Sequence, residues 1–143
     1  MPDRRLAVEA WESLFRAQHE IFAATQRDFS ATSLSQGEYD VLLTVTRGAE
    51  HTARLRDVTG NMLVSQPSVS RLVDRMVARG LVTKQPDPED GRGSLVTATP
   101  EGLHTFRSAA VTHGRHIADR MSSLSNDELR TLRDLTQRLR EAQ

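Results

Sequence analysis

SQPSVSRLVDRMVARGLVTKQPDPEDGRGSLVTATPEG, running from Ser65 to Gly102, is the stretch that decides how this chain folds. Its first half places Val69, Leu72, Val73, Met76 and Val77 at i, i+3, i+4, i+7 and i+8, which is one face of a helix. Ser65 is a good N-cap residue, Pro67 falls in the first turn, where a missing N–H costs little, and Gly80 suits the position just past the C-terminus. With Val69 at the centre of the buried stripe, Pro67, Ser68, Ser70, Arg71, Asp74, Arg75 and Ala78 take the outer half. Leu81–Gln85 and Leu95–Ala98 are short β-prone runs around a turn-rich segment, Pro86–Gly93. A hairpin with a long tip carrying Asp90 and Arg92 is therefore expected after the helix.

Upstream, Ala49–Arg54 reads as a loop or brief extended strand, and Arg56 to about Met62 as a small helix with Val58 and Met62 inward. Gly60 would let the next helix pack close. A turn through Leu63 and Val64 then gives helix-turn-helix spacing. Ser35 with Glu38 three residues on, flanked by Leu34 and Tyr39, marks another helix start, with Tyr39, Leu42, Leu43, Val45 and Thr46 inward as far as about Arg47. From Leu6 to Phe29 no Pro or Gly interrupts an apolar series that includes Trp11, Phe15, Phe22 and Phe29, so a long amphipathic helix is predicted. Downstream, Thr99-Pro100 opens a helix to about Ser122, and Ser125 with Glu128 caps a last one striped by Leu132, Leu135 and Leu139. The fold class expected is mainly α with a small β-hairpin wing, in a single domain over 1–143: a winged helix-turn-helix lobe over about 35–99, between helices at about 6–30 and 100–143.

Composition narrows the function. The 143 residues contain no cysteine, which removes disulfides, thiolate catalysis and cysteine-zinc sites. Neither a membrane-length apolar run nor a secretory leader is encoded, and a cytoplasmic location is expected. Nineteen basic and nineteen acidic residues balance, yet unevenly: residues 1–53 hold five basic and eight acidic groups, residues 54–99 seven and five. The positive groups of that middle segment are arginines except Lys84, and arginine forks suit phosphates and guanine edges. Small hydroxyls at a helix start, followed by Arg71 and Arg75 one turn apart, are what a major-groove helix requires. Arg92 on the hairpin has two open roles, entry into a minor groove or pairing with Asp90 to stiffen the tip.

The motifs S-x-x-S-V-S-R-L-V-D-R-M, the R-G-L-V of Arg79–Val82, the D-P-E-D-x-R of Asp87–Arg92 and the T-P-E-G of Thr99–Gly102 together resemble winged helix-turn-helix regulators of the MarR family. The resemblance implies a homodimer with interlocked terminal helices that grips a near-palindromic double-stranded DNA operator, as a ligand-responsive repressor. It assigns DNA contacts to Ser65, Gln66, Pro67, Ser68, Ser70, Arg71, Arg75 and Arg92. One departure is that glycines flank Arg92, where the family often has a second basic residue beside the arginine. Independently, the broad apolar stripes of the first and last helices exceed what one subunit of this size covers, and a two-fold dimer would set two recognition helices roughly 34 Å apart.

Members of this family often take small aromatic or anionic effectors between the dimer helices and the DNA-binding lobe. Trp11, Phe15, His19, Tyr39 and Arg56 are the candidates here, and Trp11, Asp57 and Arg92 resemble the urate-responsive branch, without its N-terminal extension. Two other readings stay open: a winged-helix protein-interaction module, and a metal sensor built on His104, His113 and His116. H-E-x-x-H, G-x-S-x-G and glycine-rich phosphate loops are missing, so neither an enzyme nor a cofactor is implied.

Overall fold

The computed structural model describes residues 1–63 and 67–143. Local capping starts most of its helices. Asp3 accepts the Leu6 N–H and opens α1 (Arg4–Ser30), while Ser35 and Glu38 cap each other's backbone and open α2 (Gln36–Arg47). A short 3-10 turn leads into β1 (Thr52–Arg54) and α3 (Leu55–Gly60), and α4 (Val69–Ala78) follows. The wing is β2 (Val82–Asp87) and β3 (Asp90–Ala98), after which come α5 (Pro100–Arg120), capped by Thr99, and α6 (Asn126–Glu141), capped by Ser125 with Glu128.

The sheet is antiparallel in the order β1-β3-β2, with Thr52 opposite Thr97 and Val82 opposite Ala98. One apolar cluster joins α2 (Val41, Leu42, Val45), α3 (Val58), α4 (Leu72, Val73, Met76) and the wing (Val82, Val96, Ala98), every member buried. Removing a Val, Leu or Met side chain from such a cluster costs about 2–5 kcal/mol, so the wing and α4 are held as one body. Gly80 ends α4 at φ 74°, in the left-handed region, and lets Leu81 N–H return to the Met76 carbonyl at 3.0 Å.

The terminal helices are different. Every residue from 1 to 20 is exposed, and α1 buries only Ala24, Thr25 and Phe29 near its C-terminal end. α6 buries none, leaving Leu135 and Leu139 at 50% and 55% exposure. Only the C-terminal end of the α1 stripe is buried on its own chain, and the rest of both stripes is half-buried or exposed. No helix among the described residues is long and apolar enough to cross a membrane.

Several expectations need correction. α4 begins at Val69 with Ser68 as its cap, so Pro67 precedes the helix instead of opening it. Ser65 as a cap, with Gln66, lies outside the described residues. Val77 is 39% exposed, because the buried arc is centred on Leu72, Val73 and Met76 and Val77 falls at its edge. The small helix is Leu55–Gly60, and among the described residues nothing lies within 4 Å of where a Gly60 side chain would start, so α4 does not pack against that glycine. The wing has a short tip: the strands continue to Asp87 and Asp90, which pair across only Pro88 and Glu89.

Candidate nucleic-acid interface

The outer face of α4 is built by its cap and its period. Ser68 Oγ accepts the Arg71 N–H at 3.2 Å, which caps the helix start and leaves the hydroxyl hydrogen as a donor. Ser70, Arg71, Asp74, Arg75 and Ala78 are all exposed, as the helical period predicts, and large apolar groups are absent from that set. Asp74, its one acid, is paired by Lys84 Nζ at 3.1 Å across to β2. Arg71 and Arg75 have no such partner among the described residues, so the face presents two unpaired cations and a hydroxyl.

The wing is braced by a residue that sequence reasoning missed. Arg54 donates from Nε to the buried Asp87 carboxylate at 3.0 Å and from Nη2 to Glu89 at 2.5 Å, spanning β1 to the tip. Asp87 also accepts the Glu89 N–H, closing the turn. Asp90 accepts the backbone N–H of Arg92 at 3.1 Å, not its guanidinium, which has no partner among the described residues. The stiffening role considered for Arg92 thus belongs to Arg54, and Arg92 projects unpaired from β3. Its partner could not be read from sequence, because Arg54 and Asp87 stand 33 positions apart.

The six effector candidates occupy three separate places. Trp11 and Phe15 stack at 5.5 Å on exposed α1, and with His19 they line an open groove of about 370 Å³. Tyr39 is buried in a ring cluster with Phe29, Phe106 and His113, at 5.0–5.2 Å between centroids, and burial raises its phenol pKa. Arg56 and Asp57 are exposed on α3, where Arg56 joins Arg54 and Arg92 around a groove of about 450 Å³ between α3 and the wing. A larger cleft of about 520 Å³ was missed: it lies between α1, the α1–α2 link and α4, lined by Phe22, Phe29, Ser30, Gln36, Leu72 and Arg75 among others.

His113 and His116 lie together beside Asp28, and His104 stands apart from them. His113 packs 5.0 Å from Phe29, its Nδ1 buried without a hydrogen-bond partner among the described residues, and burial lowers its pKa against the pull of Asp28. Asp28 binds Arg120 through both oxygens, at 2.9 and 2.8 Å, and this hydrogen bonding lowers the carboxyl pKa; His116 Nδ1 stands 3.4 Å away. His104 is exposed elsewhere on α5. Among the described residues no three His, Cys, Asp or Glu side chains are grouped to hold a metal ion.

A cationic helix face beside a braced wing defines a winged helix-turn-helix protein. Residues 32–93, which span α2 to the wing, match the model described as the MarR family. The chain is 26% identical to the transcriptional regulator PecS of Dickeya dadantii over 128 residues, covering 89% of this chain and 77% of that protein. Its fold is similar to that of the MarR-family regulator Sco3205 of Streptomyces coelicolor in complex with DNA, at TM-score 0.84 and 17% identity, covering 99% and 90% of the two chains. It is likewise similar to Bordetella bronchiseptica BpsR, whose DNA binding is regulated by 6-hydroxynicotinic acid, at TM-score 0.77 and 24% identity, covering 92% and 93%.

Proposed function

We propose that this chain is a DNA-binding transcriptional regulator of the MarR family, a homodimeric, ligand-responsive repressor that reads a near-palindromic duplex with two copies of α4. The observation that carries the reading is the outer face of α4: Arg71 and Arg75 are exposed, one turn apart and unpaired among the described residues, with Ser70 just before Arg71 and the acid of that face, Asp74, paired by Lys84. A guanidinium can make a bidentate contact to guanine, and Arg92 on the wing can enter a neighbouring minor groove. Ser65, Gln66, Pro67 and Ser68 precede or cap α4, and their proposed share is the phosphate contact at its start.

Dimerisation is supported by the uncovered stripes of α1 and α6, which expose Leu6, Trp11, Phe15, Leu135 and Leu139. A second copy is the occupant that makes the reader symmetric, as a palindrome requires. Ligand response is supported by the cleft beside α4. Its walls combine aromatic rings, hydroxyls, a Gln36 carbonyl oxygen with no hydrogen-bond partner and the Arg75 guanidinium, a set that suits a small aromatic anion bearing a donor. A ligand there would engage Arg75 and draw it from DNA. Sco3205 bound to DNA and BpsR with its aromatic acid support the same reading by analogy.

Selection from random duplexes by the purified protein tests the reading. Enrichment of an inverted repeat with half-sites about one helical turn apart is expected. Enrichment of no palindromic sequence would remove it.

A further inference from the structure

α2 carries two buried carboxylates, and each reaches a different end of the segment that presents α4. Asp40 Oδ2 accepts the backbone N–H of Leu63 at 2.9 Å, ahead of α4. Glu38 accepts from the guanidinium of Arg79, the C-cap residue of α4, while its other oxygen accepts the Ser35 N–H that closes the α2 capping box. Arg79 donates in addition from Nη2 to the Ser33 carbonyl at 2.8 Å, in the link between α1 and α2. A single guanidinium therefore joins the end of the DNA-facing helix, the start of α2 and the exit from α1.

Two simpler roles are available to a basic residue at this position. It could complement the dipole at the α4 C-terminus, or it could contact a phosphate. Neither accounts for the direction of its donors, which point inward to Glu38, itself only 8% exposed, and to a backbone carbonyl. A buried carboxylate needs a charged, hydrogen-bonded partner, and Arg79 is that partner.

We propose that Arg79 is a positioning residue: through Glu38 and Ser33 it fixes α4 relative to α1, and so sets the distance between the two copies of α4 in the dimer. The proposal rests on the dimeric, DNA-reading function above. Because α1 carries the exposed stripe and α4 the cationic face, this joint is where the geometry of one is passed to the other. The cleft that contains Arg75 is lined by the same link, Ser33 to Gly37, so an occupant of the cleft would press on the joint.

The test uses the full chain and duplexes whose two half-sites are moved one base pair closer or farther. Two variants separate the roles: Arg79→Met keeps much of the stem without the donors, and Glu38→Gln keeps an acceptor for the Ser35 cap while removing the charge. Each should flatten the spacing preference about fivefold or more without changing the slope of affinity against salt, and the double variant should flatten it no further than either alone. A salt slope lowered by about one in Arg79→Met, with spacing preference intact, would make Arg79 a phosphate contact and overturn the proposal. Hydrogen exchange on the protein without DNA gives a reading that does not depend on the proposed function. Arg79→Met should speed exchange together at residues 33–35 and 79–81, and unchanged protection at 33–35 overturns the joint whether or not the protein binds a duplex.

Discussion

Arg71, Arg75 and Arg92 share a charge but not a role. Arg71 and Arg75 stand on a helix face, which in the proposed complex would meet base edges; Arg71→Ala or Arg75→Ala should then each cost about 1–3 kcal/mol on the selected site and relax the preference at one base position. Gel-shift titration of matched and single-substituted duplexes measures both effects, and equal losses on all sequences would assign that arginine to phosphates instead. Arg92→Ala should weaken every duplex alike and flatten the salt slope, since no second basic residue adjoins it on the wing. A titrating residue sits in the ring cluster of Phe29 and Tyr39. His113 has its pKa lowered below the ordinary 6.5 chiefly by burial. Near pH 6.5 the unfolded chain takes up a proton that the folded chain refuses, so stability is full above that pH, falls as pH drops through it, and levels off below the folded pKa. His113→Phe keeps a ring against Phe29 and Tyr39 and should flatten this part of the curve in urea unfolding from pH 7.5 to 5; an unaltered curve would remove His113 as its source.

Elements in this chain are punctuated by residues with clear physical tasks. Thr99 Oγ1 accepts the Gly102 N–H at 3.0 Å and donates to the Gly80 carbonyl at 2.6 Å, so one hydroxyl opens α5 and holds the end of α4. Thr99→Ala should lower stability by about 1–2 kcal/mol. Gly102 allows a close approach, because a methyl there would sit 2.0 Å from the Leu81 carbonyl oxygen. Gly102→Ala should destabilise by about 1–3 kcal/mol or more. Gly114, in the middle of the same helix with nothing within 4 Å, supplies the contrast: Gly114→Ala should stabilise by roughly 1 kcal/mol. Thermal unfolding of the two variants decides between local space and helix propensity, and a shift of the same sign in both would contradict the account. Such starts and stops were legible because caps act within three or four residues of chain. The start of α4 was misjudged since Ser65 and Ser68 are equally good caps, and nothing local to the sequence chooses between them.

At the scale of the molecule, the chain combines a well-buried reading lobe with terminal helices whose apolar faces are open. Phe15→Glu or Leu135→Glu, placed on those faces, should give a monomer at micromolar concentration by sedimentation, with affinity for the selected duplex reduced at least about tenfold, because in the proposed dimer two weakly cationic readers act together. A wild-type protein that sediments as a monomer would remove the need for a partner and with it the spacing argument. Residues 54–99 carry a net charge of only +2, which also favours a paired reader over a single electrostatic grip.

The sequence by itself determined the order of helices and strands, the buried face of α4 and the outward set of Ser70, Arg71 and Arg75, since each follows from a period of 3.6 or 2 and from caps next to it in the chain. Tertiary structure alone decided which charges pair. Arg54 with Asp87 and Arg79 with Glu38 are separated by 33 and 41 positions, and no local pattern encodes a partner so distant. It also shortened the wing tip, because cross-strand register, not turn propensity, sets where a hairpin closes. It put the effector candidates in three separate places, Tyr39 among them buried, and it formed a cleft whose walls come from α1, the α1–α2 link and α4 and meet only once the core has formed.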